Sequence, residues 1–138
     1  FSANPGQPMA PLTEVASGGE MSRFLLALKT TLAAVDGSST LLFDEIDAGV
    51  SGRVSGAMAD LLRSLGEHRQ VFCVTHQPLV AAVADHHFRV SKHVEDGVTH
   101  SRVSQLRDTE ARRQELAELA GGEQADAYAA SLLDQRSA

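Results

Sequence analysis

The 138-residue sequence contains no tryptophan, one tyrosine and a single cysteine. Cys73 alone cannot form a disulfide framework or a cysteine-ligated metal site, and we expect it to be a small buried hydrophobic residue. No apolar run approaches the roughly 20 residues that a helix needs to cross a bilayer, and no signal-peptide pattern opens the chain. These absences exclude a disulfide-rich secreted domain and a membrane-spanning protein, and they favour a cytoplasmic location.

Basic charge is also scarce, with 12 lysines and arginines against 18 acidic residues. The net charge of -6 is divided equally between residues 1–70 and 71–138, so neither half is basic. Because Lys and Arg contacts to phosphates supply most non-specific nucleic-acid affinity, we do not expect this chain to bind DNA strongly by itself. The hydrophobic share of 43% is that of a globular domain and excludes a disordered chain.

The sequence has no phosphate-binding P-loop, whose pattern is Gly-x-x-x-x-Gly-Lys-Ser/Thr. Its only two lysines are Lys29, in a helical pattern, and Lys92, in a predicted strand. Three of the four prolines lie within residues 1–11. We therefore interpret residues 1–12 as a connecting segment and the chain as part of a longer protein.

Apolar periodicity predicts an alternation of helices and short strands. The runs 40–43 and 71–74 are fully apolar, as is typical of buried parallel strands, and each follows a helical pattern. The predicted helices are 18–35, 54–66, 79–84, 108–120 and 123–135, with Pro78 opening the third. Residues 86–94 and 98–105 are predicted to form a hairpin around Asp96 and Gly97. This order predicts an α/β fold in which buried parallel strands are flanked by helices.

The first candidate site is Ser17-Gly18-Gly19-Glu20, where the first helix begins. Ser17 and Glu20 have the spacing of a capping box, which needs no ligand. Two glycines in the first turn fit that interpretation poorly, because each costs about 1 kcal/mol of helix propensity relative to alanine. Bare N–H groups at a helix N-terminus suit a phosphate, so capping and anion binding both stay open.

The second candidate site follows the two apolar strands. Asp44 and Glu45 end the first strand, where one carboxylate can hold Mg²⁺ through water while its neighbour polarises an attacking water. The polar loop Asp47-Ala48-Gly49 comes next, and His76 ends the second strand. The alternative is that these are solvated strand ends. Since ligands bind at the carboxyl edge of parallel sheets, we expect these groups to share one crevice.

Two other polar groupings are interpreted structurally. His86, His87, His93 and His100 lie on or near the predicted hairpin, but their spacing matches no zinc-ligand pattern. The charged stretch from residue 107 to residue 118, which includes Arg112 and Arg113, is expected to form a solvated helix face.

Taken in order, the four motifs resemble the signature, Walker B, D-loop and H-loop of ATP-binding-cassette ATPases. Glu20 in place of the transporters' Gln, and Asp44-Glu45-Ile46-Asp47 in place of their Asp-Glu-Pro, point to the chromosome-maintenance (SMC-like) branch. From about residue 4 to residue 133 the sequence is similar to the C-terminal part of the RecN family, bacterial ATPases that repair DNA double-strand breaks. It departs from the family pattern at Ala48, where Thr is expected, and at Gln77-Pro78-Leu79, where Leu-Pro-Gln is expected.

The resemblance implies that residues 13–138 are the C-terminal lobe of an ABC-type ATPase head, acting in recombinational repair of broken DNA. The implied cofactors are ATP and Mg²⁺, and the implied partners are an N-terminal P-loop half of the same protein and a second head in an ATP-dependent homodimer. DNA ends would be held by the full protein. The chain alone is expected to be inactive because it lacks the P-loop.

The resemblance also implies a role for each motif residue. Asp44 supports Mg²⁺, Glu45 activates the attacking water, and His76 contacts the γ-phosphate. The signature residues reach the nucleotide of the second head, and Asp47 communicates across that interface; the signature residues are Ser17, Gly18, Gly19 and Glu20. Two alternatives stay open, namely a non-catalytic docking module and a fragment of an ABC transporter ATPase, although Glu20 and Ile46 disfavour the transporter.

Overall fold

The computed structural model describes residues 6, 8–11, 18–32, 37, 39–44, 46–47, 50 and 52–137. The chain forms two compact units, residues 1–76 and residues 77–138. The boundary between them falls inside the range 13–138 that the sequence assigns to one ATPase lobe. Most of the predicted connecting segment, residues 1–12, lies outside the described residues.

The first unit alternates helix and strand, as the periodicity predicts. Its elements are α1 (Gly18–Thr31), β1 (Thr40–Asp44), α2 (Arg53–Gly66) and β2 (Gln70–Val74). The two strands pair in parallel, from Thr40 opposite Gln70 to Asp44 opposite Val74. The helices pack against each other, α1 also against β1 and α2 against β2. The described residues of this unit therefore form a helix-covered parallel strand pair.

The two faces of the β1–β2 pair differ in their cover. Leu41 and Phe43 are buried, whereas Leu42 on the opposite face is 70% exposed, and Phe72 and Val74 are exposed as well. The buried side chains of the unit are mainly apolar: Leu26, Leu41, Phe43, Ile46, Val50, Met58, Ala59, Leu62 and Leu65. One face of the sheet thus has a core, and the other presents apolar side chains to solvent.

The second unit contains a short helix, a hairpin and two longer helices. Its elements are α3 (Pro78–Ala82), β3 (His87–Glu95), β4 (Val98–Leu106), α4 (Thr109–Ala120) and α5 (Ala125–Ser137). Its core joins the three helices through Ala81, Ala82, Leu116, Ala129 and Leu132. Small alanines at these contacts allow close approach of the helix backbones.

The predicted hairpin turn is confirmed. The strands β3 and β4 pair antiparallel, with Glu95 opposite Val98. Asp96 and Gly97 have φ values of 51° and 76°, the positive values that a two-residue type I′ turn requires. Asp and Gly tolerate this conformation, so the dipeptide determines where the chain reverses.

Helix boundaries show where local sequence decides and where it does not. Asp108 is the N-cap of α4 rather than its first residue, because its carboxylate accepts the N–H of Ala111 at 2.7 Å.

The expectation that Arg112 lies on a solvated face is wrong. Arg112 is buried, and its Nη2 donates to the carbonyl oxygens of Ala82 and Ala84 at 3.2 and 2.8 Å. The guanidinium thus satisfies carbonyls at the end of α3, where helical partners are missing.

None of the helices in the described part of the chain has the length and apolar composition of a membrane span.

Candidate functional site

Two parallel strands bring their carboxyl ends to one edge of the first unit. Asp44 and Val74 form the last pair of the β1–β2 register. Ile46 and Asp47 follow β1 in a turn, and Thr75 and His76 follow β2 directly. Residues that are distant in sequence therefore meet where both strands stop.

Asp47 is the centre of this edge. Its side chain is fully buried, and its Oδ2 accepts hydrogen bonds from the Thr75 hydroxyl and, at 2.9 Å, from the backbone N–H of His76. The Nδ1 atom of His76 lies 3.3 Å from the same oxygen. The carboxylate therefore connects the loop after β1 to the segment after β2.

The surroundings of Asp47 keep it ionised. Burial by itself raises the pKa of this carboxyl. The hydrogen bonds from Thr75, from the N–H of His76 and from its own backbone N–H, together with the nearby His76 ring, lower the pKa by more, so that it lies below 3.8. A buried carboxylate that is anionic and accepts these hydrogen bonds at Oδ2 is a fixed hydrogen-bond acceptor.

One side of the His76 imidazole ring contacts the protein, and the rest of the ring is open to solvent. Its side chain is 69% exposed, although its Nδ1 lies beside the buried carboxylate of Asp47. The ring can therefore meet a ligand from solvent without leaving its contact with the protein. The sequence predicts His76 at this edge but not the role of Thr75, whose only signal is its position between the strand and His76.

Asp44 lies at the same edge with an exposed side chain. Burial, followed by the negative charges of Asp47 and Asp44, raises the pKa of the Cys73 thiol to about 12. Both carboxylates thus lie near enough to Cys73 to act on its ionisation. Cys73 is only half-buried, so the expectation of a buried residue is met in part, and its thiol is protonated at neutral pH.

The signature segment is described from its second residue onward. Gly18 and Gly19 form the first turn of α1, and Glu20 lies exposed in that turn. A carboxylate there interacts favourably with the positive end of the helix dipole. Ser17 and Glu45 lie outside the described residues, so their roles stay predictions, and Ala48 and Gly49 of the loop after β1 lie outside them as well.

The histidines near the hairpin are not gathered into one cluster. Among the described residues, no group of three or more His, Cys, Asp or Glu side chains is placed to hold a metal ion. His93 and His100 face each other across the strands with ring centroids 5.6 Å apart. His87 is buried, and burial, followed by the charge of Arg112, lowers its pKa.

The chain is similar to DNA repair proteins named RecN. The RecN protein of Synechocystis is 49% identical to it, with an alignment that covers 100% of this chain and 27% of the relative. For RecN of Xylella fastidiosa the identity is 44%, and the alignment covers 98% of this chain and 25% of the relative. For RecN of Treponema pallidum the identity is 47%, and the alignment covers 89% of this chain and 21% of the relative. The aligned region is the C-terminal part of these proteins, and the chain spans about a quarter of their length. No protein-family model matches the chain.

A solved structure from work on the ATP-driven dimerization and DNA-stimulated activation of SMC ATPases has a similar fold. The TM-score is 0.56 and the sequence identity 26%, with 86% of this chain and 70% of that chain covered. The predicted α/β class is confirmed, and the fold is that of an SMC-type ATPase lobe.

Proposed function

Because the chain belongs to the RecN family of DNA repair proteins, we propose that it forms the C-terminal half of a RecN ATPase head. Together with an N-terminal P-loop half, it binds and hydrolyses ATP and thereby controls the dimerisation of heads during recombinational repair of double-strand breaks. The observation that carries this proposal is the shared edge of β1 and β2, where Asp44 and the Asp47–His76 pair lie together. The site is proposed to act in the bacterial cytoplasm, at the nucleoid.

Each group at the edge has chemistry suited to a terminal phosphate. Asp44 offers exposed carboxylate oxygens for Mg²⁺, which takes few protein ligands and keeps several waters. When bound, Mg²⁺ neutralises charge on the phosphate oxygens. Glu45, next along the chain, is proposed to orient and activate the attacking water. His76 offers an accessible ring nitrogen to the γ-phosphate.

The exposed sheet face supports a P-loop half as partner. Parallel strands are normally covered on both faces, because their crossover connections place helices there. Leu42, Phe72 and Val74 are exposed apolar side chains on the face that carries Asp44. A second half that covers this face would bury these side chains and bring its phosphate loop beside Asp44. DNA ends are proposed to contact other parts of the full protein, since this chain has a net charge of -6.

The start of α1 is proposed to contact the nucleotide of a second head. The N–H groups of Gly18 and Gly19 belong to the first turn, where they have no helical acceptor. Such a contact depends on the γ-phosphate, so hydrolysis would release the second head and make dimerisation reversible. The fold shared with an SMC ATPase, whose dimerization is described as ATP-driven, supports this arrangement.

The main test is hydrolysis by this chain assembled with a P-loop half. We expect no hydrolysis by the chain alone, hydrolysis after co-expression of the two halves, and its loss in Glu45→Gln with ATP-dependent dimers preserved. Glu67→Gln, at the exposed end of α2, is the matched control and should hydrolyse ATP at the parental rate. Unchanged turnover in Glu45→Gln would exclude Glu45 as the activating group. Stable assembly of parental halves without any turnover would favour the non-catalytic docking module.

A second test addresses the contact between heads. Ser17→Arg should block dimerisation and spare ATP binding, because a long cation then occupies the place of a small hydroxyl at the signature. Ser64→Arg, on the exposed side of α2, is the control and should dimerise normally. Light scattering with and without ATP measures the outcome, and full dimerisation of Ser17→Arg would reject the contact.

A further inference from the structure

We propose that Asp47 is a positioning residue, which holds the His76 ring with its Nδ1–H toward the protein and its Nε2 toward the ligand side. The inference rests on the proposed function, in which His76 meets the terminal phosphate of ATP. It assigns Asp47 a task inside its own unit, in addition to any part in communication between heads.

The geometry of one oxygen atom carries the inference. The Oδ2 atom of Asp47 accepts from the Thr75 hydroxyl and from the N–H of His76, and both donors belong to the segment that directly follows β2. These two bonds fix the carboxylate relative to the backbone of His76. The ring nitrogen Nδ1 then lies 3.3 Å from the same oxygen. Such contacts are commonly long in the absence of substrate and shorten when it binds.

The charge state of Asp47 determines which ring nitrogen carries hydrogen. An ionised carboxylate has only acceptor sites, so a ring nitrogen that faces it must be a donor. Asp47 is fully buried, and its hydrogen bonds favour the ionised form. The neutral ring is therefore protonated at Nδ1, and Nε2 is the nitrogen that faces away from Asp47. A ring held in this way presents Nε2 on its exposed side, where a ligand can reach it.

A purely structural role for Asp47 makes a different prediction. The bonds to Thr75 and to the His76 backbone join the two strand ends whether or not the ring is oriented. Loss of Asp47 would then lower stability and leave the ring's protonation pattern as it was. The tautomer of His76 is thus a readout that a purely structural role would not change.

The first experiment records long-range ¹H–¹⁵N spectra of the chain labelled at histidine, in alkaline buffer where imidazole is neutral. We expect His76 to be protonated at Nδ1 in the parental chain and to shift toward Nε2 protonation in Asp47→Ala, which leaves no side-chain acceptor beside Nδ1. Thr75→Val is the matched control, because it removes the other side-chain bond to Asp47 and should leave the tautomer unchanged. Nε2 protonation in the parental chain overturns the proposal, and this reading needs no variant to fold.

The second experiment measures hydrolysis after assembly with a P-loop half. Asp47→Ala should lower kcat about tenfold or more, with little change in the KM for ATP. Combined with His76→Ala it should cause no further loss, because both changes remove the same oriented ring. A kcat for Asp47→Ala equal to the parental value overturns the positioning role. If the parental assembly does not hydrolyse ATP at all, the proposed function fails, and the tautomer still decides whether Asp47 orients His76.

Discussion

Among the described residues, Asp47 in the first unit and Arg112 in the second are buried charged side chains with different roles. In the first unit, the anion Asp47 lies under an exposed histidine and joins the ends of two strands. In the second unit, the cation Arg112 lies under helix α3 and donates to the carbonyls of Ala82 and Ala84. The buried carboxylate of Asp47 lies beside an exposed histidine ring. The buried guanidinium of Arg112 instead donates its hydrogen bonds to backbone carbonyl oxygens. This difference supports the proposed ligand site in the first unit and a stabilising role for Arg112 in the second.

Exposed apolar sheet faces also differ between the units. The antiparallel hairpin of the second unit exposes Phe88, Val90 and Val103, and an antiparallel sheet tolerates one solvated face. The parallel pair of the first unit exposes Leu42 and Phe72, and parallel sheets are covered on both faces in nearly all proteins. The exposed apolar face of the first unit therefore supports the proposed P-loop half more strongly than the exposed face of the second unit supports any partner.

The largest effect that separates the units is expected from leucine truncation. Leu116 is fully buried in the helical core of the second unit, so Leu116→Ala should lower the free energy of unfolding by about 2–5 kcal/mol. Leu42→Ala, on the exposed sheet face, should change it by about 0.5 kcal/mol or less and should instead weaken assembly with a P-loop half. Urea denaturation and co-purification measure the two outcomes. Normal assembly of Leu42→Ala would show that this face is not the docking surface.

An intermediate effect is expected from the two adjacent arginines of α4. Arg112→Gln should destabilise the second unit by about 1–3 kcal/mol, because it leaves buried carbonyl oxygens without their donor. Arg113 pairs with Glu110 and Asp126 at the surface, and its hydrogen bonds hold the pKa of Glu110 at about 2, with help from Gln114. Since water and salt screen that network, Arg113→Gln should have little effect on stability. Equal destabilisation by the two substitutions, measured by amide exchange in α3, would contradict the assigned role of Arg112.

The smallest effect concerns mild acid. Burial, followed by the charge of Arg112, lowers the pKa of His87 below 6.5 in the folded state, so the unfolded chain takes up the proton first. The stability that this difference contributes is present above pH 6.5 and is lost as the pH falls toward the folded pKa. The pKa of Asp47 is also lowered in the folded state, so its contribution to stability is lost only as the pH falls below 3.8. On acidification the second unit should therefore lose stability before the first.

The measurement for this third prediction is the urea midpoint between pH 7 and pH 5, recorded for the parental chain and for His87→Gln. The parental midpoint should fall more, whereas the exposed control His86→Gln should behave like the parent. Burial raises the pKa of Glu115, so its contribution to stability changes with pH in the opposite direction to that of His87. Both chains contain Glu115, and the difference between their urea midpoints therefore removes its contribution. Parallel curves for the parent and His87→Gln would show that His87 does not titrate on unfolding.

Much of the fold follows from local patterns in the sequence. The two parallel strands, the hairpin turn at Asp96 and Gly97, and the long helices lie within a few residues of their predicted positions, although the strands were expected to be buried and are exposed on one face. Periodicity and turn chemistry act over three to five residues, so they can be recognised without any knowledge of distant contacts. The sequence predicts that α3 ends at Ala84, whereas the helix ends at Ala82. At this end the carbonyl oxygen of Ala82 accepts a hydrogen bond from Arg112, which is 30 residues away in sequence.

The candidate site was predictable in outline and incomplete in detail. Asp44 and His76 were expected at the carboxyl ends of neighbouring strands, and the parallel register places them there. Thr75 was missed, because a threonine after a strand carries no signal of its partner. The burial of Asp47 was missed for the same reason, since its donors lie 28 and 29 residues further along the chain.

By itself, the sequence determined the order of helices and strands, the hairpin turn and the family motifs, since each of these depends on neighbouring residues. Only the tertiary structure decided that Asp47 is buried beneath an accessible His76 and that Arg112 points inward. The physical reason is that burial of a carboxylate or a guanidinium is costly unless hydrogen-bond partners are available at the buried position. For both residues, those partners come from distant parts of the chain that the packing brings together.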